Sequence, residues 1–346
     1  MISKLGMPKW GLSMTEGRVV GWLVDEGAEI AVGDEVAEVE TEKINGVVEA
    51  PTAGVLRRRV AGENDVIPVG GLLGVIADAS ASDAEIDAFV AEFEASFVPG
   101  EEEDAGPQPQ VANGLRYLVY GEGGEPVVLL HGFGGDLNNW LFTAPALAAD
   151  RTVYALDLPG HGGSVKEARD LAEAVRGFLD AQGIDKAHLA GHSLGGLVAA
   201  QLPDRALSLT LIAPAGLGSE VDREYVDGFI AANSRKQLKP VLERLFADPL
   251  LVTRSMLDDV LKYKRLDGVQ PALEALRDRY LRPGVTVDLG AYDGPLLVLW
   301  GAADEIIPAP DRDDVHVLPG VGHSPHMEAA NDVNRLIEEF LTGVRT

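Results

Sequence analysis

Two periodicities divide the chain. Over residues 1–78, apolar and polar positions alternate in short runs such as Glu35-Val36-Ala37-Glu38-Val39-Glu40 and Gly46-Val47-Val48-Glu49-Ala50, punctuated by glycine. Alternation at period two between glycine turns predicts short β-strands. The frame also occurs twice. A slide of 37 positions puts Gly17 on Gly54, Leu23 on Val60, Ile30 on Ile67 and Val32 on Val69, then Gly33 on Gly70, Val36 on Leu73 and Val39 on Ile76. Such a repeat predicts two similar sheets packed face to face, a small all-β sandwich with internal pseudo-symmetry.

From residue 111 to 346 the pattern changes. Val127–His131, Val153–Asp157, Ala187–Gly191, Ser208–Ala213, Leu296–Trp300 and Val315–Leu318 are short apolar runs of the kind found in parallel strands buried on both faces. Helical spacing fills most of the gaps, for example Glu167–Ala181 and Leu194–Leu202. Strand and helix in alternation predict an open, mostly parallel sheet covered on both sides. Between Gly216 and Gly284 the strands stop and the chain turns helical and charged, so a helical lid is expected at about 217–284, above the edge where such sheets bind ligands.

Residues 79–110 join the two patterns. Ser82 with Glu85 three residues on is a capping-box signature, and Ile86, Phe89, Val90, Phe93 and Phe97 follow at helical spacing. That stripe is expected to pack on a neighbouring domain. Pro99-Gly100, the acidic run Glu101 to Asp104, and Pro107 and Pro109 then predict a flexible tether. The connector carries nine Asp/Glu and no Lys or Arg, which reads as a solvated, self-repelling segment, with a docking strip for a basic partner as the alternative. The domain boundaries expected are therefore 1–78, 79–110 and 111–346.

Composition narrows the function. A formal charge of −26 argues against nucleic acid, whose phosphates need a basic footprint. The absence of cysteine removes disulfides, thiolate metal ligands and a cysteine nucleophile, and no metal site is expected. No apolar run is long enough for a membrane helix, and Met1-Ile2-Ser3-Lys4 leads into patterned sequence without a signal-type apolar stretch, so a cytoplasmic protein is expected.

The first candidate site is Lys43, in Glu40-Thr41-Glu42-Lys43-Ile44-Asn45-Gly46 between the two repeats. A lysine at a hairpin tip is by itself a solvated turn residue. The motif, however, resembles the attachment sequence of lipoyl domains. So do Met7-Pro8-Lys9-Trp10-Gly11, Glu26-Gly27, Val32-Gly33-Asp34 and Ala50-Pro51. Biotin-carrying domains place Met on both sides of the lysine, whereas Glu42 and Ile44 flank it here. The resemblance implies lipoate carried covalently on Lys43, loaded by a lipoate ligase or transferase.

The second candidate site centres on Ser193. Gly191-His192-Ser193-Leu194-Gly195-Gly196 has the Gly-x-Ser-x-Gly form between a strand and a helix, the setting of a nucleophile elbow. A glycine-rich turn without catalysis has the same local pattern. His131-Gly132-Phe133-Gly134-Gly135, Asp304 after the strand at 296–300, and His323 in Gly320-Val321-Gly322-His323 each follow a strand, and the order Ser, Asp, His fits this fold. Here the chain resembles the α/β-hydrolases. The resemblance implies Ser193 as nucleophile, His323 as base, Asp304 as its partner, and the amides of Phe133 and Leu194 as oxyanion hole. His326 is the second choice for base and Glu305 for acid. His131, His161 and His192 fall where that family uses histidine structurally or to shape the pocket, while His188 and His316 read as strand residues.

Taken whole, the chain resembles the E2 components of acetoin dehydrogenase complexes, in which a lipoyl domain is fused to an α/β-hydrolase domain. That resemblance implies acetyl transfer from dihydrolipoyl-Lys43 to coenzyme A, with a thiamine-dependent E1 and a dihydrolipoyl dehydrogenase E3 as partners. The His-x-x-x-Asp-Gly motif of ordinary 2-oxo-acid dehydrogenase E2 proteins is absent, and residues 79–110 do not match their subunit-binding domain. Arg235, Lys236 and Lys239 are cations of the insertion that read as surface charges rather than coenzyme A ligands. A lipoyl-tethered esterase or thioesterase, or a carrier whose hydrolase domain is a scaffold, are the alternatives.

Overall fold

A computed structural model describes residues 2–10, 14–41, 45–99, 107–167, 169–290 and 292–344. The chain divides into two compact units, the first built from the segment through Gly106 with Thr253–Ser255, the second from Pro107–Val252 and Met256–Thr346.

The first unit opens with β1 (Ile2–Gly6), β2 (Glu16–Trp22), β3 (Glu29–Ile30) and β4 (Glu35–Glu40). It continues with β5 (Asn45–Glu49), β6 (Gly54–Arg59), β7 (Val66–Pro68), β8 (Leu72–Ala77) and one helix, α1 (Asp83–Ser96). Two four-stranded sheets result, in the orders β1-β8-β6-β3 and β5-β4-β2-β7. The sequence repeat is now a structural one. Val36 and Val39 of β4 and their counterparts Leu73 and Ile76 of β8 lie on opposite sheets and are all buried in one shared core. Each sheet therefore presents the same apolar frame to the other, which is how so short a sequence encloses a core.

Strand β8 is buried on both faces. Leu73 and Ile76 face the sandwich, whereas Leu72, Val75 and Ala77 meet Ile86, Phe89, Val90 and Phe93 of α1. The apolar stripe of α1 thus finds its partner on this unit. Ser82 and Glu85 close the capping box: Ser82 Oγ accepts from the Glu85 amide, and the Glu85 carboxylate accepts from the Ser82 amide at 2.8 Å. Of the expected tether, residues 100–106 lie outside the described residues.

The second unit runs β9 (Gln110–Ala112), β10 (Leu115–Tyr120), β11 (Val127–Leu130), α2 (Thr143–Leu147), β12 (Val153–Leu156), α3 (Leu171–Ala181), β13 (Ala187–His192), α4 (Leu194–Ala200) and β14 (Ala206–Ile212). Four helices follow: α5 (Arg223–Ala231), α6 (Arg235–Glu243), α7 (Arg254–Lys264) and α8 (Val269–Tyr280). Then come β15 (Leu296–Gly301), β16 (Val315–Leu318), α9 (Pro325–Glu328) and α10 (Ala330–Val344). The sheet order is β16-β15-β14-β13-β11-β12-β10-β9, parallel from β12 to β16 and antiparallel at β10 and β9. The expectation of a mostly parallel α/β sheet holds, with an antiparallel edge added. Strand β11 lies between β12 and β13, so consecutive crossovers leave it in opposite directions and open a crevice at the carboxyl ends of β11 and β13. Among the described residues no helix is long and apolar enough to cross a membrane.

Candidate active site

The turn after β13 is set by close packing. A Cβ on Gly195 would stand 2.1 Å from the Leu130 carbonyl oxygen, and one on Gly191 would stand 2.3 Å from that of Gly195. Only glycine at these two places lets α4 start directly against β11. The compression puts Ser193 at φ 52°, ψ −114°, a left-handed backbone that a residue with a Cβ rarely adopts. The strain lifts the hydroxyl off the strand end and toward the crevice.

Two loops from elsewhere in the chain meet it. His323, after β16, brings Nε2 to 3.1 Å from Ser193 Oγ and Nδ1 to 2.7 Å from Asp304 Oδ2. Asp304, after β15, is in turn immobilised. Its Oδ1 accepts from the amides of Ile306 and Ile307 at 2.8 Å each, and its Oδ2 accepts from Trp300 Nε1 at 3.1 Å. A carboxylate accepting at both oxygens fixes Nδ1 of His323 as the protonated nitrogen and leaves Nε2 free to accept from the serine. All three residues are buried.

The His131–Gly135 segment passes beside the serine: a Cβ on Gly132 would stand 3.2 Å from Ser193 Cβ and 2.8 Å from His192 Nδ1. Histidines hold it there. The Gly134 amide donates to His161 Nε2 at 3.0 Å, and the Leu158 amide donates to His131 Nε2 at 3.0 Å. Burial holds the pKa of His131 below, and that of His161 well below, the ordinary value, which keeps both neutral and able to accept. Leu194 contributes the first amide of α4, which has no acceptor within its own helix. Phe133 and Leu194 are thereby brought to the same crevice as Ser193.

The second choices are not brought in. His326 is fully buried behind His192, with ring centroids 4.5 Å apart, and neither of its nitrogens has a hydrogen-bond partner among the described residues. Burial, and then His323, push its pKa down to about 3. Glu305 is exposed while Asp304 beside it is buried. His188 bonds Ser208 Oγ at 2.7 Å within the sheet, and His316 is exposed on β16. Arg235 pairs with Asp258 and Lys239 with Glu243 on the surface. Lys43 lies outside the described residues, which stop at Thr41 and resume at Asn45.

His192, expected to be structural or to shape the pocket, donates from Nε2 to the His323 carbonyl at 2.8 Å. Other contributors were not anticipated: Glu328 accepts from the Gly322 and Asp248 amides at 2.6 and 2.9 Å, pinning the loop that carries His323. Val221, Tyr225, Val226, Leu245 and Leu281, from the segment between β14 and β15, line a cavity of about 20 Å³ with Ser193, His323 and Phe133. That space holds about one water. The Asx turn at Asp304 has a local signal, an Asp followed at two and three residues by amides it can accept from. Tyr225 has none, because the cavity it lines is shared with residues remote in sequence, and Glu328 none for its bond to Asp248, 80 residues away. Among the described residues no group of His, Asp or Glu is arranged to hold a metal.

Comparison with known proteins agrees with this division. Residues 3–76 match the model described as biotin-requiring enzyme, the biotin/lipoyl attachment domain, and residues 127–336 match that of the alpha/beta hydrolase family. Along nearly its whole length the chain is 52 % identical to the dihydrolipoyllysine-residue acetyltransferase component of the acetoin cleaving system of Pseudomonas putida, covering 98 % of each. It belongs to that family of acetyltransferase components. The relative from Cupriavidus necator is 49 % identical over 97 % of this chain and 96 % of its own length. The hydrolase half of this acetyltransferase component also resembles a 2-hydroxy-6-oxo-6-phenylhexa-2,4-dienoate hydrolase of Burkholderia cepacia, at 32 % identity over 63 % of the chain and 88 % of the relative. Among solved structures, a meta-cleavage product hydrolase from Pseudomonas fluorescens superposes with a TM-score of 0.60 at 22 % identity over 69 % of this chain and 98 % of that one, a likeness of fold.

Proposed function

We propose that the protein moves an acetyl group from a dihydrolipoyl thioester to coenzyme A, as the E2 component of an acetoin cleaving system, through Ser193, His323 and Asp304. The observation that carries this reading is the unbroken hydrogen-bonded line from Asp304 through His323 to Ser193, in a chain that also holds a lipoyl-type domain. We assign residues 1–78 to the carrier, 79–110 to the connector, 111–346 to the catalytic domain and about 217–284 to its lid.

Lys43 is the lysine we assign to lipoate. The register of β4 and β5 pairs Glu40 with Asn45, so the stretch containing Lys43 joins two paired strand ends. Lys4 by contrast lies within β1, its ammonium over the Phe93 ring. A lipoyl group on Lys43 would supply a thiol that carries acetyl as a thioester.

In the reaction Ser193 Oγ attacks the acetyl carbonyl carbon and gives its proton to His323 Nε2. Asp304 holds the resulting imidazolium, and the amides of Phe133 and Leu194 hold the oxyanion. The carbon–sulfur bond breaks, the leaving thiolate takes the proton from His323, and an acetyl ester remains on Ser193. The thiol of coenzyme A then gives its proton to His323 and attacks that ester. As the ester bond breaks, His323 returns the proton to Ser193 Oγ. Water could do the same, so transfer depends on keeping it out; the apolar side chains from the 217–284 segment around a cavity of one-water size support that. A thiamine-dependent E1, a dihydrolipoyl dehydrogenase E3, a lipoate ligase or transferase and a cytoplasmic setting go with this reading.

A lipoyl-tethered thioesterase is the second reading, favoured by the hydrolase names among the relatives. Product analysis separates the two. Acetyl-dihydrolipoamide should yield acetyl-CoA only with coenzyme A present and only with Ser193 intact. Acetate released at the same rate with or without coenzyme A would reverse the assignment.

A further inference from the structure

The lining of the cavity over Ser193 is apolar except for the serine, the two histidines and one residue from the inserted helices, Tyr225. Tyr225 is 5 % exposed. Its amide bonds Asp222, but its hydroxyl has no hydrogen-bond partner among the described residues. A buried phenol normally finds one, because desolvating it without a partner costs stability. Other buried polar atoms without partners, among them Trp140 Nε1 and Thr143 Oγ1, are sealed from solvent; Tyr225 Oη is not one of these, and the opening its residue borders is the cavity.

The helix that carries it is docked on the oxyanion loop. Phe229, one turn along α5 from Tyr225, sets its ring 5.7 Å from that of Phe133, and a Cβ on Gly134 would clash with it. Lys264 holds the end of that helix by donating to the carbonyls of Phe229, Ile230 and Ala232. Residues four apart share a helix face, so Tyr225 and Phe229 look toward the same loop. Burial holds the Tyr225 phenol well above its usual pKa, which keeps its proton on.

We propose that Tyr225 is a further catalytic residue, its hydroxyl donating a third hydrogen bond to the acyl carbonyl oxygen as negative charge gathers there beside the Phe133 and Leu194 amides. This rests on Ser193 being the acylated nucleophile. An oxyanion is a far stronger acceptor than a thioester carbonyl, so the contact acts on kcat rather than on KM.

The test is Tyr225→Phe in the full-length chain, with Ser193→Ala as background. Three quantities are read: kcat and KM on p-nitrophenyl acetate, the same on acetyl-dihydrolipoamide with coenzyme A, and the melting temperature. The expected result is a kcat lower by about 10²-fold on both substrates with KM little changed. The melting temperature should stay level or rise, since an unpartnered polar group has been removed. A kcat within about threefold of wild type overturns the proposal, as does a loss of activity that tracks a loss of melting temperature. If the wild type cleaves the ester but makes no acetyl-CoA, the transfer reading fails while the Tyr225 test stands, because ester and thioester pass through the same oxyanion.

Discussion

His192 Nε2 stands 2.8 Å from the backbone carbonyl oxygen of His323, so the residue before the serine holds the residue that faces it. A carbonyl can only accept, which puts the His192 proton on Nε2. Burial, with His326 and His323 nearby, holds the His192 pKa well below its ordinary value and keeps it neutral. His192→Ala should release the His323 loop and lower kcat by about 10- to 10²-fold, the scale of a small misplacement in a reacting pair. His192→Gln, which keeps a donor, should recover part of it. Steady-state acetyl transfer by both variants checks this; equal losses would mean the bond to His323 does not matter.

Strain at Ser193 should be measurable. With φ at 52°, replacement by Gly is expected to leave the protein about 1 kcal/mol more stable than replacement by Ala. Urea unfolding of the two inactive variants reads the difference, and coincident midpoints would deny the strain. Gly195→Ala should be far worse, because its Cβ meets backbone at 2.1 Å that cannot yield, and soluble expression is the simplest readout.

Acid should destabilise the hydrolase unit early. His131, His161, His192 and His326 all have pKa values pushed down, with burial the largest cause in each. Below an ordinary histidine value of about 6.5, the unfolded chain therefore binds protons that the folded one refuses. Stability intact above that pH is lost as pH falls, at up to about 1.4 kcal/mol per pH unit for each histidine. Asp136 works against this, since burial and then Asp157 push its carboxyl up to about 6 and the folded state gains that proton. Burial lowers His188 as well, and one group against five offsets only part of the loss. Urea midpoints should fall between pH 6.5 and 5, and His326→Leu should flatten the fall by about one proton's worth. A midpoint constant over that range would contradict the expectation.

Lipoate attachment has a direct readout. Intact mass after incubation with lipoate, ATP and a lipoate ligase should show one added lipoyl group in the wild type and none in Lys43→Arg, which keeps the charge but lacks the primary amine. A lipoyl group still added to Lys43→Arg would move the attachment site elsewhere. The same variant should abolish acetyl-CoA formation from acetoin in a mixture reconstituted with E1 and E3.

What was readable along the chain was what local chemistry enforces. Val36 and Val39 announced a doubled sandwich because Leu73 and Ile76 repeat them 37 positions on, and a repeated apolar frame is what two sheets sharing one core require. Gly191 and Gly195 marked the elbow because no other residue fits against a neighbouring backbone at those distances. The antiparallel edge of β9 and β10 went unanticipated: β9 is three largely exposed residues, and the apolar run of β10 marks a strand without recording the direction in which it pairs. The stripe on α1 showed that the helix had to pack, not on which unit; the outward face of β8, Leu72, Val75 and Ala77, decided that.

By itself, then, the sequence determined the two folds, the strand ends that carry Ser193, Asp304 and His323, and the family. Each of these is written in spacing, glycine placement or a motif a few residues long. Only the tertiary structure decided that Tyr225 shares a cavity with Ser193, that His192 and Glu328 hold the His323 loop, and that His326 is buried out of reach. Apart from the bond of Glu328 to Gly322, six residues back, those contacts join residues tens to more than a hundred positions apart. They arise from the packing of whole elements, and a pattern confined to one segment of chain does not record which distant surface will come to lie against it.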